Sequence, residues 1–186
     1  PILIFAATAI ITRKMLLSFF AIGWMTFYLL LGFVQYERAF LVANDLAYSR
    51  GHSPERLTLK PSFGNLILWK SIYQYEENFY VDAIRTVQTS AVCLGESIKI
   101  FDYQEHLPDL DKESQQALDI ERFRWFSQDY LGFDQEKSLV TDVRYSMLPN
   151  QIEPMWGLVI DYLRDTNEHA IGSVSYTHLT LPTSHN

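Results

Sequence analysis

Three histidines, His52, His106 and His169, lie in the body of the 186-residue chain, and His178 and His185 lie close to its end. None sits in an HxxxH, HxH or HExxH spacing, so no two imidazoles are placed by sequence to grip one metal ion. His106 with Asp109 and Asp111 is the one local grouping of ligand-type residues. An acidic, proline-containing connector in which Asp111 or Ser114 caps the next helix explains the same residues more simply. Asp82 and Asp142 are candidates for paired carboxylates, the equipment of general acid–base hydrolysis. However, Asp142 and Arg144 are two residues apart and share a strand face, so an ion pair is the simpler reading. No GxSxG elbow occurs, and neither GxGxxG nor GxxxxGK[ST] surrounds Gly64-Asn65. Cys93 is the sole cysteine, which excludes an intrachain disulfide, and without a basic neighbour it reads as an inert thiol. Arg122, Arg124 and Trp125 have the types to bind an anion, but on an exposed helix side they serve packing and solubility. The residues by themselves assign no catalytic group and no metal ligand.

The elements that would carry these residues fall into two classes. Residues 1–36 hold only two charges, Arg13 and Lys14, whereas the other 150 residues hold 13 basic and 22 acidic groups, a net −9. No region offers the broad cationic surface a nucleic acid requires, so nucleic acid is excluded as a partner. Met15–Tyr36 is a 22-residue run without a charge. As a helix it would be ~33 Å long, against a hydrocarbon core of ~30 Å. Apolar residues occupy every face, and Arg13, Lys14, Tyr36 and Arg38 flank it as interfacial anchors. The run predicts a transmembrane helix over 15–36, with the lipid bilayer as partner. Residues 1–14 read as the end of a preceding, truncated helix and a short loop, Thr12–Lys14. Arg13 and Lys14 favour a cytoplasmic loop and an extracytoplasmic domain after Tyr36, although Arg38 and Arg50 nearly balance the count.

Residues 37–173 predict an α+β domain with a mainly antiparallel sheet and one or two helices. Glu37–Arg50 extends the transmembrane helix, with Ala39, Val42, Ala43, Leu46 and Ala47 on one face and Gly51 and Pro54 as the stop. Leu66–Tyr73 and Phe79–Val87 predict an antiparallel hairpin around a polar turn at Tyr75–Asn78. Glu96–Phe101, Leu139–Met147 and Trp156–Leu163 predict further strands. Ser114–Tyr130 predicts a helix ended by Gly132, with Ala117, Ile120, Phe123, Phe126 and Tyr130 near one face. Val174–Thr183 (VSYTHLTLPT) resembles a translated sequencing adaptor, so 174–186 is expected to be a non-native tail.

One resemblance spans about a hundred residues. KPSFGNLILWKSIYQYEENFYVDAIR, then RFRWFSQDYL, then VTDVRYSMLPNQIEPMWGLVI follow a late transmembrane helix. This order resembles the C-terminal part of the YdjM-like family of bacterial inner-membrane proteins, described as membrane-bound metal-dependent hydrolases. The matching positions are Pro61, Gly64, Asn65, Trp69, Tyr80, Phe126, Asp142, Arg144, Tyr145, Pro149, Trp156 and Gly157. The resemblance implies a protein of the bacterial inner membrane whose divalent metal is held by His and Asp motifs on earlier helices, absent from this sequence. Those helices would be partners of this part, which itself would hold no metal. Asn65, Trp69, Asp142 and Arg144 are the candidates for a substrate-contacting or structural motif. A competing reading is a non-catalytic, membrane-anchored binding or assembly module that presents Trp69, Tyr73, Tyr75, Phe79 and Tyr80 to a partner in the envelope.

Overall fold

The computed structural model describes residues 3, 4, 8 and 15–174. One helix, α1 (Met15–Ser49), runs unbroken for 35 residues, about 52 Å at 1.5 Å per residue. Its first part is exposed on all sides, with Phe19, Phe20, Met25, Phe27, Leu30 and Phe33 among the uncovered side chains. The helix is long and apolar enough to cross a membrane. Its last part behaves differently, because Ala39, Ala43 and Ala47 recur every four residues on one face and are fully buried. Their small side chains let the helix lie close on a sheet, where Leu59, Trp69 and Ile84 complete the contact. The segment 1–14 lies, apart from residues 3, 4 and 8, outside the described residues.

The first sheet has the order β1 (Arg56–Pro61), β2 (Leu68–Tyr75), β3 (Asn78–Thr86), β4 (Ser90–Cys93), all antiparallel. The short strand β5 (Ser97–Lys99) pairs with the other half of β3, on the edge that β4 also uses. Period-two alternation decides which residues go where. Trp69 and Tyr73 on β2, with Asp82 and Ile84 on β3 and Leu59 on β1, share the helix face. Lys70 and Ile72, with Phe79 and Val81 and with Thr58 and Lys60, share the opposite face. That second face is covered by Tyr130, Val143 and Ile152.

These three residues come from the second half of the chain. After α2 (Tyr103–His106, capped by Asp102) and α3 (Gln115–Phe126, capped by Ser114) it forms a second antiparallel sheet. Its order is β6 (Leu131–Asp134), β7 (Leu139–Asp142), β8 (Trp156–Val159), β9 (Ile171–Val174). The Phe101 amide donates to the Leu131 carbonyl at 2.8 Å and Ile100 bridges Gly132, joining the two sheets. A separate core of Phe101, Ile120, Leu131, Phe133, Val140 and Ile160 packs α3 onto the second sheet. The result is α+β: a long helix on one face of the first sheet, and a second antiparallel sheet with short helices joined to it through Ile100 and Phe101.

Several expected boundaries shift. The helix predicted to reach Tyr130 ends at Phe126, because Gln128 and Asp129 take positive φ of 53° and 63° and turn the chain. Gly132 is therefore not its stop but a residue of β6, and Tyr130 is buried under the first sheet rather than on the helix. Phe126 is exposed. The strand predicted over Leu139–Met147 stops at Asp142, whose carboxylate accepts the Arg144 amide at 3.0 Å and bends the chain. Residues 175–186, most of the adaptor-like tail, lie outside the described residues, and Val174 closes β9.

Candidate functional site

Two buried carboxylates, Asp82 and Asp142, each hold an arginine, one on each side of the first sheet. On the helix face, Arg50 at the end of α1 donates to both oxygens of Asp82, at 2.7 and 2.8 Å, and to the Tyr73 hydroxyl at 3.0 Å. Gly95 donates its amide to the same carboxylate at 3.0 Å. His52 bonds the Tyr73 hydroxyl through Nδ1 at 2.9 Å and stacks on Tyr75. The bonds it donates to Asp82 hold the Arg50 guanidinium well above its ordinary range despite burial. This cluster bolts α1 to β3.

On the other face, Asp142 is fully buried and takes the Arg144 guanidinium at 2.9 Å (Nε) and 2.7 Å (Nη2). Arg144 is only 6% exposed and also donates to the Phe126 carbonyl and to Gln128 Oε1. Burial works to lower its pKa, but the hydrogen bonds and charge of Asp142 outweigh that and raise it. Asp82 and Asp142 are thus taken by separate arginines and do not form a carboxylate pair.

Arg144 is one member of a layered group. Arg56 lies over the Tyr130 ring at 4.1 Å, Arg144 lies between Tyr130 and Tyr145 at 6.0 and 5.3 Å, and Lys60 faces Tyr145 at 5.8 Å. Ring faces between the cations attract them through their quadrupoles, which offsets part of the repulsion between like charges here. Lys70, 4% exposed, enters from β2 and donates to Ser146 Oγ at 2.6 Å and to the Gln151 carbonyl at 2.9 Å. Burial pushes the Lys70 ammonium down to about 8, with Asp142 and Glu96 opposing the shift. It remains mostly a cation at neutral pH.

Between β1–β2 and the 144–155 segment these side chains enclose a cleft of about 540 Å³. Lys60, Lys70 and Arg144 supply its charge, Ser62, Tyr145 and Ser146 its hydroxyls, and Phe63, Met147 and Met155 its apolar wall. Among the described residues no carboxylate lines it, although the chain is acidic overall. The Lys70–Ser146 contact has the residue types of a serine–lysine dyad. Its hydrogen bonds run the wrong way for attack, since Ser146 Oγ donates to the Leu148 carbonyl at 2.6 Å while the lysine donates to Ser146. The arrangement suits holding an anion rather than activating a nucleophile.

The four residues singled out in the sequence separate here. Arg144 lines the cleft and Asp142 aims it. Asn65 shapes the adjoining loop, its Oδ1 accepting the amides of Ile67 and Leu68 at 2.9 and 2.7 Å. Trp69 points to the opposite face, buried against Tyr36 of α1, with Nε1 donating to the Leu66 carbonyl. The aromatic display expected of a binding module does not form, because Trp69, Tyr73 and Phe79 are buried. Lys60 and Lys70 were not singled out; their signal was a pair of cations on facing strands, visible only once the register joins them.

A divalent ion of the kind the family resemblance implies does not fit the described residues: among them no three His, Cys, Asp or Glu side chains converge. His106 instead lies against the Phe133 ring, and Asp111 accepts the Glu113 amide. A second cleft, of about 630 Å³, has Glu96, Asp134, Glu136 and Glu153 around it without such convergence. Comparison with family models, with curated proteins and with solved structures finds no match.

Proposed function

We propose that the chain is the C-terminal, membrane-anchored part of a bacterial inner-membrane hydrolase of the metal-dependent class its motifs resemble. In this reading α1 crosses the bilayer, and the α+β body works as an accessory that faces substrate from the extracytoplasmic side. The metal-binding histidines and aspartates belong to helices N-terminal to this sequence, and no catalytic step is assigned to the residues described. The observation that carries the reading is the division of α1. Residues 15–34 are apolar and uncovered, then Ala39, Ala43 and Ala47 seat the same rigid helix on the first sheet. An apolar surface of that extent around a whole helix supports burial in a bilayer.

A non-catalytic membrane-anchored binding module is the second reading. It is favoured by a cleft that gathers cations without a nucleophile, base and orienting group in sequence. Its binding surface is the basic cleft, since Trp69, Tyr73 and Phe79 are buried.

Membrane extraction tests the anchor. Expressed in a bacterium, the full chain should stay in the membrane pellet under alkaline carbonate, and a phosphatase reporter fused after Arg50 should be active. Release into the supernatant would remove the anchor, and an inactive reporter would reverse the orientation. The coding sequence upstream decides between the two readings: clustered His and Asp on further helices support the hydrolase, and their absence leaves the binding module.

A further inference from the structure

The cleft lies at the end of the sheet nearest the apolar half of α1. The loop between β1 and β2 reaches along the helix, and Leu66 packs where a Cβ on Gly32 would be 3.7 Å away. Gln35 and Arg38 of α1 donate to the carbonyls of Thr86 and Val87 at the same end. Pro61, Ser62 and Phe63, which form one lip of the cleft, therefore stand level with the last turns of the apolar run. Phe63 is fully exposed, and Ile67, Val87, Met147 and Leu148 are exposed near it. The opposite end carries Glu55, Glu76 and Glu77 instead.

An exposed apolar lip beside a cationic, carboxylate-free cleft has the polarity of an amphiphile. Lys70 and Arg144 are held by their protein partners and each keeps one N–H without an acceptor among the described residues. Lys60 has no carboxylate partner among them and sits half-buried at the edge, able to close on a bound group. Lys60 and Lys70 supply charge that no carboxylate pairs directly among the described residues, and Arg144 adds a spare N–H although Asp142 balances its charge. Ser62 and Tyr145 line the same cleft, a set that suits the anionic oxygens of a phosphodiester. We infer that this cleft binds the phosphate headgroup of an anionic phospholipid, with its acyl chains leaving past Phe63 and Met147 into the bilayer. This rests on the reading of α1 as the anchor that sets the cleft at the membrane surface. Free inorganic phosphate offers the same kind of anionic oxygens but leaves the apolar lip without a role.

The full chain in phosphatidylcholine nanodiscs doped with phosphatidylglycerol, analysed by native mass spectrometry, tests this. One phosphatidylglycerol should be retained per chain in preference to phosphatidylcholine, and Lys60→Ala should lower retention about tenfold, the loss of one charge-assisted contact. Lys70→Met should abolish retention, and if it fails to fold, the edge position of Lys60 still carries the result. Equal retention of both lipids, no effect of Lys60→Ala, or displacement of the lipid by inorganic phosphate would overturn the inference. A chain recovered outside the discs would sink the anchor instead. The cleft would then be read with monomeric dihexanoyl phosphatidylglycerol, where saturable binding lost in Lys60→Ala upholds it and no binding overturns it.

Discussion

Lys70 shows how one residue's environment sets its chemistry. Its ammonium is pulled down to about 8 by burial, whereas in an unfolded chain it titrates near 10.4. Between those values the unfolded chain binds a proton that the folded chain has lost. Stability therefore rises with pH through the window, by an amount on the order of 3 kcal/mol at most. Lys70→Met removes that titration. Melting of the full chain in detergent should show the wild type gaining on Lys70→Met between neutral pH and about pH 10. Parallel behaviour of the two proteins would mean that Lys70 is not buried as a cation. The Asp142–Arg144 ion pair was legible from the two-residue spacing, though for an incomplete reason. The pair forms because the carboxylate also caps the Arg144 amide and ends β7, not because both residues continue along one strand face.

Elements were legible where their pattern is local. The alanine stripe of α1, the β2–β3 hairpin and the Ser114 cap follow from spacing alone. Strands β1, β4, β6 and β9 did not, because what makes them strands is their neighbours. In β1 only Leu57 and Leu59 are aliphatic, and Arg56 and Lys60 look like loop residues until Tyr130 and Tyr145 from the second half of the chain lie against them. The break between β4 and β5 depends on Gly95 in the same non-local way. A Cβ there would stand 2.2 Å from the carbonyl oxygens of both Val81 and Asn150. Backbone on two sides cannot yield as a side chain would, and the Gly95 amide is one of the donors to buried Asp82. Gly95→Ala should therefore destabilise the full chain by about 3 kcal/mol or prevent folding, an effect beyond ordinary overpacking. A melting temperature within a degree or so of wild type would refute the close approach.

At the scale of the whole molecule, the charge split at Tyr36 was the most informative feature of the sequence. It separates an uncovered apolar helix from an acidic body, and the structure shows how the two are joined. Arg50–Asp82, Tyr36–Trp69 and the buried alanines fix the body to α1 along its last turns. The orientation of the sheet then follows from the helix, which is why one end of the body is lipped with apolar side chains and the other carries glutamates. The cleft escaped the sequence reading because its cations come from β1, β2 and the segment after β7, brought together only by the β1–β2 register and by the packing of Val143 and Ile152 on the first sheet. If α1 anchors the body as proposed, the Phe63 lip meets the bilayer. In a Cys93→Ser background, spin labels placed by Phe63→Cys and by Glu77→Cys on the full chain in lipid vesicles measure this directly. The label at 63 should be accessible to oxygen and shielded from a water-soluble nickel chelate, and the label at 77 should behave in the opposite way. Equal exposure of both labels to the chelate would contradict the account.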